Sequence, residues 1–410
     1  MHNMTKKTGI EIKLASNETE FTAKYSPEAF KGRLVYYLTP KQNRDTILKT
    51  FVLLDFKNGK RKYLNAHLDS NTKILENCPG RFVCMKMNEP HAAVTLNEDK
   101  DFYAFMFKNA NYLYHIDYKN NVARLICAKD LKIGEIKRIG DTFVRDEEQI
   151  YISGAELKTN GCLTKLYKSD IDLTKLNKIG EYNFKLPVAP HSSFFYKGLI
   201  INGYLEGSHL VVYNINYDEV TYYPISSSSP AHIEASGDYI YVSNHNLTRI
   251  KGEVAFTDTG YIDKFLVTDK GLEHKATFQD PRGFRFTSHK ILNYGGKEYI
   301  VTMGEPNRLF IIDAEDMTLH HYDTIGKEVI PENEDPMTFL NANVSKLPDS
   351  IKPVEVSQNG EYIILISYHN IMVYSFPEKK IVQVLKTIED IDENLNPREY
   401  ELATAHTNFI

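Results

Sequence analysis

The chain has 410 residues, a length that favours either several domains or one large repeat architecture over a single two-layer core. Hydrophobic residues make up 42% and aromatic residues 12%, which is enough apolar, strand-favouring material for a sizeable core. The formal net charge of -5 excludes a broad basic field of the kind that attracts nucleic acid. Nucleic acid is therefore not an expected partner.

The ends and the cysteines bear on the cellular compartment. Residues 1–7 are polar and lead into no apolar segment, which predicts that no secretory signal is present. No run approaches 18 apolar residues, so no transmembrane segment is expected. Cys78, Cys84, Cys127 and Cys162 lack CxxC spacing and predict reduced thiols. These features together predict a cytoplasmic protein, and they leave its protein partners unknown.

Short runs of four to eight residues dominate the chain from end to end. They are rich in Tyr, Val, Ile and Phe and are bounded by Gly, Asn, Asp or Lys, a pattern typical of β-strands. Helical periodicity over ten residues or more is almost absent, with a turn or two expected at 27–30 and 390–398. The pattern predicts an all-β protein; clear examples are residues 32–38, 51–56, 101–107, 210–214 and 363–368.

A supersecondary unit recurs along the chain, and units of about 40–50 residues are typical of propeller blades. The clearest pair aligns residues 231–241 with 354–364, so that Gly237 matches Gly360 and His232 matches Glu355. Six units begin near residues 89–91, 140–142, 189–191, 230–232, 287–289 and 353–355.

A seventh unit is split between the two ends of the chain. Residues 33–67 supply three strands, and residues 402–410 supply the inner strand that those three lack. Pairing between these segments would remove the exposed sheet edges of an open array. The sequence therefore predicts a single closed seven-bladed β-propeller over residues 32–410.

Two segments depart from the repeat. Residues 1–31 are polar and are expected to be peripheral to the propeller. Residues 326–352 contain Pro331, Pro336 and Pro348 and are expected to form an insertion between blades six and seven. Insertions of this length often cover a functional face, and an ordinary solvated loop is the alternative.

Histidines recur at the start of the predicted inner strands. Five of the seven starts carry histidine although the chain has only 14 histidines, and Glu355 holds the equivalent place in another blade. Because inner strands run along the central channel of a propeller, equivalent starts converge on one mouth of that channel. The sequence therefore predicts a histidine cluster that consists of His91, His191, His232, His289 and His406.

Converging neutral imidazoles are what a divalent transition metal requires, which makes these five histidines candidate metal ligands. Carboxylates near such ligands commonly orient the rings, and Glu234, Glu305 and Glu355 are the candidate catalytic carboxylates of this mouth. Iron is the favoured metal, with manganese or zinc as alternatives. The competing interpretation is that the polar side chains only bond channel waters and neighbouring backbone.

The arrangement resembles the carotenoid-cleavage oxygenases, seven-bladed propellers in which histidines from several inner strands hold a ferrous ion. Residues 89–97 and 286–290 are similar to histidine-bearing strands of that family. The resemblance implies that His191, His232, His289 and His406 hold iron with His91 beside them. It also implies oxygenation of an alkene in a small or apolar substrate.

Two other classes of propeller stay open. Propeller lyases that act on uronate oligosaccharides also group histidines around a divalent cation, and Arg145, Arg282 and Arg285 could bind the uronate carboxylates. Propellers of the WD or Kelch kind only bind proteins, although neither signature is present here. The chain also lacks a Gly-x-Ser-x-Gly elbow and a Walker loop, which disfavours serine hydrolase and nucleotide hydrolase chemistry.

Overall fold

The computed structural model shows an all-β protein whose strands pair antiparallel. It divides into two compact units, residues 1–23, 32–195 and 388–410 (unit 1) and residues 24–31 and 196–387 (unit 2). Six sheets contain four or more of the described strands. The structure describes residues 9–40, 50–66, 82–85, 91–96, 112–127, 143–146, 149–170, 176–250, 253–343, 351–367, 369–387, 400–402 and 408–409.

Unit 1 holds most of the N-terminal strands and the two short C-terminal ones. Its strands are β1 (Ile10–Glu20), β2 (Arg33–Pro40), β3 (Thr50–Asp55), β4 (Lys60–Ala66), β5 (Phe82–Met85), β6 (His91–Leu96), β7 (Tyr112–Asp117), β8 (Val122–Cys127), β9 (Phe143–Asp146), β10 (Gln149–Lys158), β11 (Gly161–Asp170), β12 (Asn177–Phe184) and β13 (Pro190–Tyr196), which ends at the unit boundary. The strands β31 (Tyr400–Leu402) and β32 (Asn408–Phe409) complete this set.

Strand β1 forms because residues 10–14 alternate apolar and polar side chains, the pattern of a strand with one buried face. Ile12 and Leu14 are buried, and β1 hydrogen-bonds to β4 on one side and to β8 on the other. It thereby joins the groups β2–β4 and β5–β8 into one ten-stranded sheet. The prediction of seven separate blades is wrong, since the described strands form six. Strand β1 belongs to segment 1–31, which is expected to be peripheral. It pairs with β4 and β8, the last strands of these two groups.

The two ends of the chain meet at strand β2. Leu38 pairs with Leu402 in β31, and Leu34 pairs with Phe409 in β32. The expected pairing between the segment 33–67 and the C-terminal segment is therefore present in the described residues. Closure of a complete ring stays a prediction.

Unit 2 contains regular four-stranded antiparallel sheets whose strands follow chain order. The order is β17-β18-β21-β22 in one sheet, β23–β26 in the next and β27–β30 in the last. The strands are β14 (Leu199–Tyr204), β15 (His209–Asn214), β16 (Glu219–Pro224), β17 (Pro230–Ser236), β18 (Tyr239–Asn244), β19 (Leu247–Ile250), β20 (Glu253–Phe256), β21 (Tyr261–Thr268), β22 (Gly271–Gln279), β23 (Phe286–Tyr294), β24 (Lys297–Gly304), β25 (Arg308–Asp313), β26 (Leu319–Thr324), β27 (Lys352–Val356), β28 (Tyr362–Ile366), β29 (Asn370–Ser375) and β30 (Lys380–Lys386).

The core of unit 2 lies between neighbouring sheets. The second and third strands of the last two sheets carry apolar runs because both of their faces are buried. Ile300 and Phe310 pack against Tyr241 of the neighbouring sheet and against Phe286 of the first strand of their own sheet. Leu365 and Tyr374 pack with Val301 and Leu309 in the same way. This burial holds the first strands β17, β23 and β27 side by side.

The repeat seen in the sequence is present at its turns. Gly237 links β17 to β18 and Gly360 links β27 to β28, and both have a positive φ, 59° and 70°. A Cβ atom at Gly360 would lie 1.9 Å from the carbonyl oxygen of Asn293, so no other residue fits there without backbone movement. The alignment of these two glycines is confirmed.

Two insertions extend from unit 2. The hairpin β19–β20 interrupts the sheet of β17, and helix α1 (Pro336–Asn343) lies within the predicted insertion 326–352, of which 344–350 lie outside the described residues. Asp335 caps helix α1, because its carboxylate accepts bonds from the backbone N–H and hydroxyl of Thr338, and Pro336 occupies the first turn. Helix α1 contacts β20, so the two insertions meet.

The helix turn expected at 27–30 is present as a single 3-10 turn at Pro27–Ala29, while 390–398 lies outside the described residues. Among the described helices, none has the length and apolar character to cross a membrane. Cytoplasmic location stays a prediction.

Candidate functional site

The first strands of three consecutive sheets in unit 2 share a bulge near their start. The register shifts between Pro230 and His232 in β17, between Phe286 and His289 in β23, and between Pro353 and Glu355 in β27. His232, His289 and Glu355 therefore hold equivalent places, as the sequence repeat predicts. Bulges of this kind re-aim side chains and are common beside functional sites.

The loops after the second strands lie at the same end of the sheets as these bulges. Asn244 pairs with Pro230, Gly304 pairs with Phe286, and Ile366 pairs with Lys352. Each of these pairs joins the end of a second strand to the start of a first strand. The loops that begin at residues 245, 305 and 367 thus surround the starts of β17, β23 and β27.

The insertion 326–343 is anchored at this end too. The side-chain amide of Asn307 donates to the carbonyl oxygens of Ile325 and Lys327, at 2.9 and 2.8 Å. Arg308 forms an ion pair with Glu328, and Ile330 and Leu340 are buried, which fixes the insertion to the sheet beneath it.

His232 meets a histidine from the neighbouring second strand's loop. The ring centroids of His232 and His245 are 5.4 Å apart, with an angle of 71° between the ring planes. His232 is half-buried, and His245 is 9% exposed. The first strand and the loop after the second strand of one blade therefore bring two imidazoles together.

His289 is the most enclosed of the predicted site residues. Its side chain is 1% exposed, and its polar neighbours are the backbone of Tyr241 and the carboxylate of Glu234. Burial lowers the pKa of His289 to about 4, and the nearby carboxylate of Glu234 offsets only part of this effect. The imidazole is therefore neutral at physiological pH.

Next to His289, the side chain of Lys290 bonds to one of the predicted carboxylates and is influenced electrostatically by a second. Its ammonium bonds to Glu234 of β17. Burial by itself would lower the pKa of Lys290, but Glu234 and Glu355 outweigh burial and raise that pKa. Of these side chains, 22% of Lys290 and 30% of Glu234 stay accessible to solvent.

Glu305 belongs to a different ion pair. Its carboxylate lies 2.9 Å from the guanidinium of Arg285, and these side chains are 9% and 11% exposed. Burial lowers the pKa of Arg285, and the Glu305 charge opposes that change. A buried pair of this kind orders the loop after β24 against the start of β23, and the catalytic role expected for Glu305 stays a prediction.

Part of the predicted five-histidine ring lies outside the described residues. His191 lies on β13 in unit 1, whereas His406 and the side chain of His91 lie outside the described residues. Among the side chains that the structure describes, no group of three or more His, Cys, Asp or Glu is arranged to hold a metal ion. In unit 2 the positive charge beside Glu234 and Glu355 is the ammonium of Lys290.

Two residues of this region were missed by sequence reasoning. His245 is not among the predicted site residues, although it directly follows the strand that pairs with β17. Lys290 is also not among the predicted site residues, although it directly follows His289 in the sequence. A search for charged residues beside the repeated histidines would have found Lys290.

Comparisons with known proteins place the fold in a class. No protein-family model matches the chain, and no curated protein matches it. A protein of Bacteroides fragilis, provisionally named as a 6-phosphogluconolactonase, is 11% identical with a TM-score of 0.53, over 93% of this chain and 98% of that one. At this identity the similarity shows the fold alone, and the fold is that of a β-propeller.

Two weaker structural similarities fall below a TM-score of 0.5. The dihydro-heme d1 dehydrogenase NirN is 12% identical with a TM-score of 0.45, over 90% of this chain and 66% of that chain, just under two thirds of its length. AztD from Citrobacter koseri is 8% identical with a TM-score of 0.48, over 89% of this chain and 85% of that one. The resemblance to carotenoid-cleavage oxygenases receives no support from these comparisons.

Proposed function

We propose that this propeller is a metal-dependent enzyme and that His232 and His245 contribute two ligands to a divalent transition metal. The observation that carries the proposal is the 5.4 Å separation of the two ring centroids. Two imidazoles on one ion, with metal–nitrogen bonds of about 2.0–2.1 Å, place their ring centroids roughly 5 Å apart. The observed separation suits a shared ion.

The surroundings of the pair support this proposal. Glu234 lies two residues after His232 in β17, on the same face of the strand, where a carboxylate can orient an imidazole. His289 supplies a neutral imidazole on the neighbouring first strand, as ligation requires. Two protein ligands leave positions of the ion to water and substrate, which Lewis-acid or redox chemistry needs.

The proposal is tested by titrating metal-free protein with zinc, manganese and, under anaerobic conditions, ferrous ion, with calorimetry as the measurement. We expect saturable binding of at least one ion. Each of His232→Ala and His245→Ala should weaken that binding by at least about tenfold, because each removes one ligand. His209→Ala is the matched control, since His209 is a half-buried histidine at the start of β15.

The same titration separates the reaction classes. Preferred binding of ferrous ion supports an oxygenase, the first choice of this proposal. Preferred binding of manganese or zinc supports a lyase acting on an oligosaccharide. Absence of saturable binding for all three ions, or unchanged binding in both histidine variants, contradicts metal dependence and leaves a binding propeller.

A further inference from the structure

We infer that a divalent cation, manganese in particular, binds to a cluster of side chains that consists of Ser226, Asp263, His274 and Thr277. His274 and Thr277 lie on β22, which pairs with β21, the strand of Asp263. Ser226 lies in the segment that links β16 to β17. None of the four is a ligand in the proposed function, and the inference does not depend on that function.

A bulge in β22 brings the two side chains of that strand to one face of the sheet. Thr277 pairs directly with Asp263, and after a register shift Phe265 pairs with His274. Without this shift, Lys275 rather than His274 would share the face of Thr277, because side chains alternate along a strand. The bulge instead places His274 beside Asp263, as bulges do where a side chain is re-aimed at a site.

Four polar atoms converge at this bulge. Oδ1 of Asp263 lies 2.6 Å from Oγ1 of Thr277, 3.2 Å from Nε2 of His274 and 2.5 Å from Oγ of Ser226. Oγ1 of Thr277 lies 2.9 Å from the same nitrogen and 2.7 Å from the same serine oxygen. Adjacent ligands of an octahedral ion with bonds of about 2.1 Å stand roughly 3 Å apart. Small outward shifts of these side chains would therefore admit an ion, whose bonds would replace the hydrogen bonds between them.

The carboxylate of Asp263 is buried without a lysine or an arginine to pair with. Its side chain is 0% exposed. Its partners among the described residues are the backbone N–H and hydroxyl of Ser226, the amide of Asn244, the hydroxyl of Thr277 and the ring of His274. Buried charges in proteins are normally paired or bound to a metal. A divalent cation at Oδ1 would supply the missing positive charge.

Solvent reaches the cluster through its exposed members, which lets an ion enter. The side chain of His274 is 43% exposed, and Ser226 is exposed as well. Water can therefore complete the coordination of the ion. Three of the four protein ligand atoms are oxygens, which suit magnesium, calcium and manganese. The imidazole nitrogen favours manganese among these three, because manganese is the transition metal of the set.

The test titrates a full-length double variant, His232→Ala with His245→Ala, with manganese(II), and electron paramagnetic resonance measures the free ion. The double variant lacks the ligands of the proposed active site, so the result is independent of the proposed function. We expect one manganese ion to bind per chain. In this protein His274→Ala should weaken binding by about tenfold or more and Thr277→Val by about threefold or more, because each removes one ligand. His320→Ala is the control, since His320 is an exposed histidine on the fourth strand of its sheet, as His274 is.

If the double variant does not fold, the wild-type protein takes its place, and His274→Ala should then remove one bound manganese ion per chain. Saturation with manganese should also raise the thermal midpoint, because only the folded chain assembles the site, and EDTA should reverse the rise. The inference is overturned if the protein binds no manganese saturably. It is equally overturned if His274→Ala and Thr277→Val both bind manganese as their parent does, which would leave a network of hydrogen bonds at Asp263. Either result leaves the proposal for His232 and His245 untouched.

Discussion

His289 and Lys290 are neighbours in sequence but experience opposite electrostatic environments. The imidazole is enclosed without a compensating charge in bonding contact, so burial keeps it neutral. The ammonium of Lys290 bonds to Glu234, and the charges of Glu234 and Glu355 keep its pKa raised despite its burial. The contrast arises because Lys290 has a carboxylate in bonding contact, whereas Glu234 offsets only part of the effect of burial on His289.

The lowered pKa of His289 makes a prediction about stability and pH. The pKa is about 4 in the folded protein and 6.5 as its ordinary value, so between these limits only the unfolded chain binds the proton. Stability is therefore complete above pH 6.5 and falls as the pH approaches 4, by about 1.4 kcal/mol per pH unit. His289→Leu removes this titration.

The measurement is the free energy of unfolding of both proteins by denaturant at several pH values. Relative to His289→Leu, the wild-type protein should lose about 2 kcal/mol between pH 6.5 and pH 5. Parallel pH dependences of the two proteins would show that folding does not change the pKa of His289.

At the scale of elements, β1 illustrates how a strand gains its partners. Its apolar residues alternate with charged ones, which suffices for a strand with one buried face. Its place between β4 and β8 satisfies the backbone groups on both of its sides, which would otherwise be left as open edges.

A matched pair of substitutions tests the contribution of β1. Ile10 and Ile12 lie on the same face of the strand, yet Ile10 is 40% exposed and Ile12 is 4% exposed. Ile12→Ala should lower the free energy of unfolding by about 2 kcal/mol, because it leaves a cavity. Ile10→Ala should change it by less than about 0.5 kcal/mol. Chemical denaturation measures both, and equal effects would contradict the burial of β1.

The two insertions of unit 2 show a second effect at this scale. The hairpin β19–β20 and helix α1 extend from separate blades, yet they meet because both begin at the same end of their sheets. Both insertions leave their sheets at the end where the first strands start. This position agrees with the expectation that 326–352 forms part of the wall of the site, which stays a prediction.

At the scale of the whole molecule, the pairing of β31 and β32 with β2 joins the two ends of the chain. Deleting residues 400–410 removes both strands and exposes one edge of β2. The thermal midpoint should then fall by about 5 °C or more, and the protein should aggregate on heating. Calorimetry measures the change.

Deletion of Ile410 alone is the control, because both paired strands remain. A midpoint that is the same after both deletions would mean that the C-terminal strands contribute nothing to stability.

The sequence by itself determined the class of fold and the local geometry of the repeat. Alternating apolar runs predicted strands, and the match of Gly237 with Gly360 located equivalent turns, because a left-handed backbone favours glycine. The equivalence of His232, His289 and Glu355 followed from the same repeat, and the shared bulges confirm it. These features depend on residues close together in the chain.

Only the tertiary structure decided which separate elements and side chains meet. The number of blades depends on β1, whose partners lie far along the chain and are chosen by open edges that no local pattern reveals. The partner of Glu234 is likewise a lysine 56 residues away, and the partner of His232 is a histidine in a loop. Such pairs form because sheet packing brings distant strands together, and their distances are a property of the folded chain rather than of its spacing.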